Sequence, residues 1–136
     1  MDAAQKLICK QLGALDSYQS VSNSEKQTEN PFQPVSQEHV QLLHDDSNHW
    51  FLTFCSNGRV QVCDSLRSKL THASRKSIRS LYMHYVTNDG QRITMLPVQK
   101  QPDGFNCGLF AIAFAIANCF LMVTPPLKLV NLTMLK

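Results

Sequence analysis

Residues 49–64 read His-Trp-Phe-Leu-Thr-Phe-Cys-Ser-Asn-Gly-Arg-Val-Gln-Val-Cys-Asp, and this stretch predicts a β-hairpin. The segments 50–55 and 59–63 are rich in aromatic and β-branched residues, as strands are. Between them lie Asn57 and Gly58, and Asn-Gly is the strongest short-range signal for a two-residue hairpin turn. We therefore expect two antiparallel strands here.

The length of the turn decides which side chains share a face of the hairpin. A two-residue loop pairs Ser56 with Arg59 and places Asp64 opposite Phe51, whose side chain shares a face with His49. Diagonal neighbours on one face lie about 7–8 Å apart, which allows a hydrogen bond between His49 and Asp64. A three-residue loop would turn Asp64 to the other face. The opposite, core-facing side is then filled by Trp50, Leu52 and Phe54.

A second informative stretch, residues 101–110, reads Gln-Pro-Asp-Gly-Phe-Asn-Cys-Gly-Leu-Phe. It predicts a glycine-rich elbow that opens into an apolar helix from Cys107 to about residue 123. A helix N-terminus stabilises a thiolate, the nucleophilic form of cysteine. Gly104 and Gly108 bracket the thiol and leave room for a substrate backbone to approach closely.

These two stretches together contain the parts of a cysteine nucleophile. Cys107 would attack, and His49 would take its proton and later protonate the leaving amine. Asp64 would hold the imidazole in the correct tautomer. Gln101 would direct its amide NH₂ at the oxyanion, together with the Cys107 backbone N–H.

The order His-Trp, Asp-Ser-Leu, Gln-x-x-Gly-x-Asn-Cys-Gly resembles the ubiquitin-like-protein-specific protease family, the deSUMOylase and deneddylase class related to the adenoviral protease. The resemblance covers roughly residues 39–120. It implies an α+β fold with a papain-like or adenain-like core: a small mixed sheet and a buried central helix that starts at the nucleophile.

The resemblance also implies a function. It indicates a cysteine-type peptidase or isopeptidase that cleaves after the Gly-Gly C-terminus of a ubiquitin-like modifier, with no cofactor. The implied residues are catalytic His49, Asp64 and Cys107, an oxyanion hole of Gln101 and Cys107, and a substrate channel at Trp50, Gly104 and Gly108. On sequence grounds alone, Trp50 suits a core position better than a channel wall; with the family resemblance, the two positions are about equally consistent.

The sequence also departs from the family pattern. The chain is short at both ends, and Trp50 is the only tryptophan where the family lines its channel with two. We therefore expect a fragment or diverged copy. Two alternatives to an active protease stay open: a catalytically inactive modifier-binding relative, and a degenerate fragment of a mobile-element protease.

The remaining elements follow from periodicity and turn signals. Residues 1–38 predict an N-terminal helix, over 3–12, and a polar surface connection over 14–37. Residues 39–123 form the predicted catalytic core, and 124–136 are an unassigned tail. Within the core we also predict a strand over 40–43, a helix over 74–85 and a strand over 93–98, in which Pro97 requires either a sheet edge or a place among the last residues of the strand.

Composition excludes several classes of protein. The 136 residues are 17% charged with a net charge of +3, which suits a globular domain and is too mild to imply nucleic-acid binding. No secretory leader is evident, and the cysteines, odd in number, form no CxxC, which favours an intracellular protein, nuclear or cytoplasmic, with reduced thiols and no metal site. The cysteines are Cys9, Cys55, Cys63, Cys107 and Cys119.

Two further stretches have simple explanations and open alternatives. The apolar run 109–123 is shorter than the roughly 20 residues that span a membrane, so a buried helix is expected. A basic stretch without acids is most simply a solvated face, although it would also suit an acidic patch on a modifier or a nucleic-acid backbone. Its cations are Arg67, Lys69, Arg75, Lys76 and Arg79.

Overall fold

A computed structural model describes residues 1–13, 15, 18–25, 31–36, 38–45, 48–56, 58–85 and 93–120. Within these residues the chain has an α+β fold, as predicted. Its helices are α1 (Asp2–Gln11), a 3₁₀ helix (Val21–Glu25), α2 (His72–Leu81) and α3 (Cys107–Phe120). Its strands are β1 (His39–His44), β2 (Trp50–Ser56), β3 (Arg59–Cys63) and β4 (Ile93–Met95).

The four strands form one mixed sheet in the order β1-β2-β3-β4. The first three are antiparallel, and β4 runs parallel to β3 at the edge, which is one of the two arrangements that Pro97 allowed. Pro97 itself follows the end of β4. Ser56 pairs with Arg59 across the β2–β3 turn, which confirms the two-residue loop. Gly58 has φ 72°, a conformation that glycine adopts without a steric penalty. Asn57 lies outside the described residues.

One face of the sheet packs against α1 and α3. Leu52 and Phe54 of β2 are buried there, as predicted, and contact a cluster that includes Phe110 and Phe114 of α3. Trp50 is only half-buried at the margin of this cluster. This face positions the N-terminus of α3, and with it Cys107, beside the beginning of β2.

The opposite face of the sheet is buried as well, so the predicted single core-facing side is wrong. Phe51 and Val62 pack there against Ile78 and Leu81 of α2. The chain returns across this face after β3, and the apolar stripe of α2 covers it. Burial on both faces explains why β2 is almost continuously apolar rather than alternating.

The predicted polar surface connection over 14–37 is wrong in part: Gln33 and Pro34 are exposed, but several apolar residues that the structure describes here belong to the core. Val21, Phe32 and Val35 are buried, with at most 5% of each residue exposed. The backbone N–H of Val35 donates a hydrogen bond to the carbonyl of Leu81. These isolated apolar residues show no period in the sequence, so only tertiary contacts reveal that they belong to the core.

The helix boundaries agree with the sequence to within a few residues. α1 ends close to Gly13, as predicted. α2 begins two residues earlier than predicted because Thr71 caps it, accepting a hydrogen bond from the Ser74 N–H at 3.1 Å. β4 is shorter than the predicted strand over 93–98. The predicted end of α3 near residue 123 and the tail 124–136 lie outside the described residues.

α3 begins at Cys107 as predicted, and most of its side chains are buried between the sheet and α1. Ile116 is the exception, since it is exposed. In the described part of the chain, no helix is both long and apolar enough to cross a membrane.

Candidate active site

His49 and Asp64 meet at one end of the hairpin. His49 directly precedes β2 and Asp64 directly follows β3, so the register brings them to the same end of the sheet. The imidazole Nε2 lies 2.6 Å from Asp64 Oδ1. Both side chains are buried, and the His49 ring stacks on Phe51 with centroids 6.3 Å apart. The structure therefore confirms the predicted hydrogen bond; the catalytic roles remain a prediction.

The environment of Asp64 keeps its carboxylate ionised. Its Oδ1 also accepts hydrogen bonds from the backbone N–H groups of Leu66 and Arg67, each at 2.9 Å. Burial alone would raise the pKa of Asp64, but the His49 hydrogen bond and these two amides outweigh it and hold the pKa below its usual value. An anionic Asp64 is suited to orienting the imidazole and stabilising its protonated form.

The second ring nitrogen of His49 is available for proton transfer. Among the residues that the structure describes, Nδ1 is buried without a hydrogen-bond partner. When Nε2 carries a proton and donates it to Asp64, Nδ1 becomes a lone-pair acceptor. A buried acceptor without a partner is energetically costly, which is typical of a functional site.

Cys107 lies beside Trp50, the residue that follows this histidine. It is the first residue of α3, and its Sγ accepts a hydrogen bond from the backbone N–H of Trp50 at 3.4 Å. Because Trp50 directly follows His49, the thiol is adjacent to the chain segment that holds the imidazole. A helix N-terminus and an N–H donor both stabilise a negatively charged sulfur.

Asp103 organises the elbow before Cys107, and the sequence patterns alone had not indicated this role. Its Oδ1 accepts hydrogen bonds from the backbone N–H groups of Phe105 at 3.1 Å and Asn106 at 2.9 Å. Its Oδ2 also accepts from the Asn106 side-chain amide. An aspartate that precedes a glycine is a common side-chain turn signal and would have indicated this arrangement.

Gln101 is held between the elbow and the segment that follows Asp64. Its Oε1 accepts a hydrogen bond from Ser65 Oγ at 2.5 Å, and its backbone N–H donates to the Ser65 carbonyl at 2.8 Å. Its Nε2 donates to the carbonyl of Asp103 at 2.6 Å. An amide nitrogen has two protons, so one remains for a substrate oxyanion. Whether Gln101 has this role remains a prediction.

Trp50 and Gly108 are in close proximity. A Cβ atom added to Gly108 would lie 3.6 Å from Trp50 Cδ1, so the indole covers this glycine next to Cys107. The other predicted channel residue, Gly104, has open space where a side chain would be. His44 contacts the indole, with ring centroids 4.6 Å apart. The substrate-channel role of these residues remains a prediction.

In the part of the chain that the structure describes, the other cysteines and the basic stretch do not indicate a different kind of site. The described part of the chain contains no group of three side chains suited to hold a metal ion. Cys9, Cys55 and Cys63 are free and buried, and the side chain of Cys119 lies outside the described residues. Within the basic stretch, Arg67 forms an ion pair with Asp45. Other members line a pocket of about 170 Å³, among them Lys69, Arg75 and Arg79.

Comparison with known proteins places this geometry in a familiar fold. The chain is similar to the C-terminal Ulp1 protease domain solved in complex with Smt3, the yeast ortholog of SUMO. The TM-score is 0.51 with 12% identity, over 82% of this chain and 52% of that one. Ulp1 with its catalytic cysteine oxidised to a sulfenic acid gives a TM-score of 0.53 with 10% identity, over 97% and 55%. The chain has the Ulp1 protease fold.

The similarity extends to the fold alone, since the identities are low. The sequence matches no protein-family profile and no curated protein significantly. The chain spans about half the length of the Ulp1 structures that it matches.

Proposed function

We propose that this chain is a cysteine-type peptidase or isopeptidase that cleaves after the Gly-Gly C-terminus of a SUMO-like or related ubiquitin-like modifier. The observation that carries the proposal is the state of the His49 ring. One nitrogen is fixed by Asp64 at 2.6 Å, and the other is buried without a described partner in a chain segment adjacent to Cys107. An imidazole oriented in this way can activate a thiol that comes within hydrogen-bond reach of its second nitrogen, and that approach of Cys107 Sγ is part of the proposal.

The proposed reaction uses each group in turn. Cys107 Sγ attacks the carbonyl carbon of the terminal glycine, and its proton passes to His49 Nδ1. The amine leaves with that proton, and a thioester between Cys107 and the modifier remains. Water, deprotonated by His49, then hydrolyses the thioester to a modifier carboxylate and the free thiol. Gln101 Nε2 and the Cys107 N–H stabilise the oxyanion in both halves.

The fold and the site both support the proposed substrate. The Ulp1 structure that this chain resembles was solved with Smt3 bound. A glycine tail suits a site in which Trp50 lies over Gly108, because glycine has no side chain to clash with the indole. We place the protein inside the cell, in the nucleus or cytoplasm, where its buried free cysteines would stay reduced.

The proposal is tested by labelling with modifier probes. Ubiquitin-like proteins that end in Gly-Gly, each carrying a C-terminal electrophile, are incubated with the purified chain. We expect a covalent adduct with a SUMO-type probe and its loss in Cys107→Ser. Peptide mapping by mass spectrometry then locates the modified residue.

Controls make the result decisive. Cys55→Ser removes another buried thiol and is expected to leave the adduct intact, and a probe that ends in Ala-Ala should not react. A thermal melt with a cooperative transition establishes that the chain is folded. The absence of any adduct on cooperatively folded protein would contradict the proposed activity.

One observation favours the second candidate, a relative that binds a modifier without cleaving it. Gln101 Nε2 already donates a hydrogen bond to the Asp103 carbonyl, so the oxyanion donor is partly engaged. This candidate predicts that modifier affinity is equal in the wild type and in Cys107→Ala and that neither protein releases product. Release of product by the wild type alone would exclude it. A non-cooperative melt would instead indicate a degenerate fragment.

A further inference from the structure

Asp45 lies at the end of β1 and holds the backbone of His49. The two residues exchange hydrogen bonds, since the Asp45 N–H donates to the His49 carbonyl at 2.8 Å and the His49 N–H donates to Asp45 Oδ1 at 3.1 Å. Only 1% of the Asp45 side chain is exposed. A carboxylate buried to this extent requires a charged or hydrogen-bonding partner.

Arg67 is one such partner, and it contacts both aspartates. Its Nε donates to Asp45 Oδ2 at 2.8 Å, while its backbone N–H donates to Asp64 Oδ1 at 2.9 Å. Lys100 reinforces the same loop, because its Nζ donates to the carbonyls of Asp64 at 3.0 Å and Arg67 at 3.3 Å.

These contacts form a closed network around His49. Asp45 holds the His49 backbone and is itself held by the Arg67 side chain. The Arg67 backbone N–H binds Asp64, which in turn binds the His49 imidazole. The hairpin register brings His49 and Asp64 to the same end of the sheet but leaves the rotation of each side chain undetermined. The ion pair between Asp45 and Arg67 connects the segment before β2 to the segment after β3.

We propose that Asp45 and Arg67 are positioning residues whose ion pair sets the geometry of the His49–Asp64 hydrogen bond. Neither residue needs to touch the substrate. When the pair is broken, Arg67 no longer anchors the loop that presents its backbone amide to Asp64, and Asp45 loses the cation that holds its side chain against the His49 N–H. The inference rests on the proposed function only in that it assigns His49 and Asp64 to the active site.

The test compares Arg67→Met, Asp45→Asn and the double variant in the full chain. Asparagine at position 45 keeps an oxygen that accepts from the His49 N–H, so this variant removes mainly the charge. Arg75→Met is the matched control, because Arg75 is an exposed cation of α2 without an ion pair in the described part of the chain.

Two measurements report on His49 without requiring a modifier. Nitrogen-15 NMR of the histidines gives the tautomer of His49, and the pH profile of alkylation by iodoacetamide reports the activation of Cys107, with Cys107→Ala as background. We expect the wild type to hold the Nε2–H tautomer. Arg67→Met should mix the tautomers and slow alkylation at neutral pH by about tenfold or more.

The pattern among the variants separates positioning from general destabilisation. We expect the double variant to be no worse than the more damaging single one, because both remove the same interaction. Arg67→Lys should restore part of the wild-type profile, and Arg75→Met should match the wild type. If Arg67→Met does not melt cooperatively, Asp45→Asn and Arg67→Lys provide the comparison.

Retention of the wild-type tautomer and alkylation profile in folded Asp45→Asn and Arg67→Lys would overturn the inference, as would a wild type without the Nε2–H tautomer. Failure of the proposed function is a separate result. A wild type that no modifier probe labels, but whose His49 tautomer depends on Arg67, would sustain the inference and contradict the peptidase activity.

Discussion

His49 Nε2 lies 2.6 Å from Asp64 Oδ1, although 15 residues separate the two in the chain. The hairpin between them produces this proximity, since its two-residue turn fixes which residues face each other. Neither residue belongs to α3, so the proximity of His49 and Asp64 is a local feature of the hairpin, to which the rest of the fold adds the Cys107 thiol.

Replacement of Asp64 by Asn should abolish most of the proposed activity. The carboxylate accepts from the imidazole and from two backbone amides, whereas an amide side chain also presents donors and favours the wrong tautomer. We expect labelling by the reactive modifier probe to slow by about a hundredfold to ten-thousandfold. Glu38→Gln changes an exposed carboxylate and is the control. A full labelling rate in Asp64→Asn would contradict the proposed role.

Among Cys55, Cys63 and Cys107, thiol chemistry should be confined to Cys107 in the native protein. Burial, together with the negative charge of Glu38, raises the pKa of Cys55 to about 11. Burial and the adjacent Asp64 raise the pKa of Cys63 to about 12. At neutral pH these thiols are protonated and weakly nucleophilic. Brief iodoacetamide treatment followed by peptide mapping should find the modification at Cys107; rapid modification of Cys55 or Cys63 would be inconsistent with the structure.

Two substitutions at Gly108 should show how closely Trp50 packs against α3. Alanine places its Cβ 3.6 Å from Trp50 Cδ1, an ordinary contact, and favours a helix by up to about 1 kcal/mol over glycine. Gly108→Ala should therefore leave the free energy of unfolding unchanged or slightly higher. Gly108→Val should displace the indole. Urea denaturation, monitored by the fluorescence of the single tryptophan, measures the free energy of unfolding. The emission spectrum of the folded protein reports the displacement of the indole.

Gly104→Ala is the matched control, since a Cβ at position 104 has no heavy atom within 4 Å. An unchanged Trp50 emission spectrum in folded Gly108→Val would contradict the close approach of the indole to α3.

Stability should decline in mild acid because of His39. Burial lowers the pKa of this histidine, although the hydrogen bond to Gln41 partly opposes the shift. The folded state therefore resists protonation while the unfolded state accepts a proton near the ordinary histidine pKa of about 6.5. The contribution of neutral His39 is complete above that pH and is lost as the pH falls below it.

Urea denaturation at neutral pH and at about pH 5.5, one unit below that ordinary pKa, provides the measurement for His39. His39→Gln should reduce the difference in the free energy of unfolding between the two pH values. His72→Gln alters an exposed histidine at the start of α2 and should leave the difference unchanged. An equal pH dependence in the wild type and in His39→Gln would show that His39 does not carry it.

Some errors of the sequence-based predictions have a common physical cause. Val21, Phe32 and Val35 lie in a stretch without periodicity, and their burial depends on contacts with distant elements. The buried cluster on the Phe51 face of the sheet was not predicted, because a strand that is buried on both faces shows no alternation of polar and apolar residues. Both features are properties of packing between elements.

The sequence by itself determined the hairpin register and the start of α3 at Cys107. Each depends on local chemistry: an Asn-Gly turn, and a glycine elbow before an apolar run. Only the tertiary structure brought Cys107 to the backbone of Trp50, 57 residues away in the chain. It likewise paired Asp45 with Arg67, because a long-range ion pair leaves no period or spacing in the sequence that would predict it.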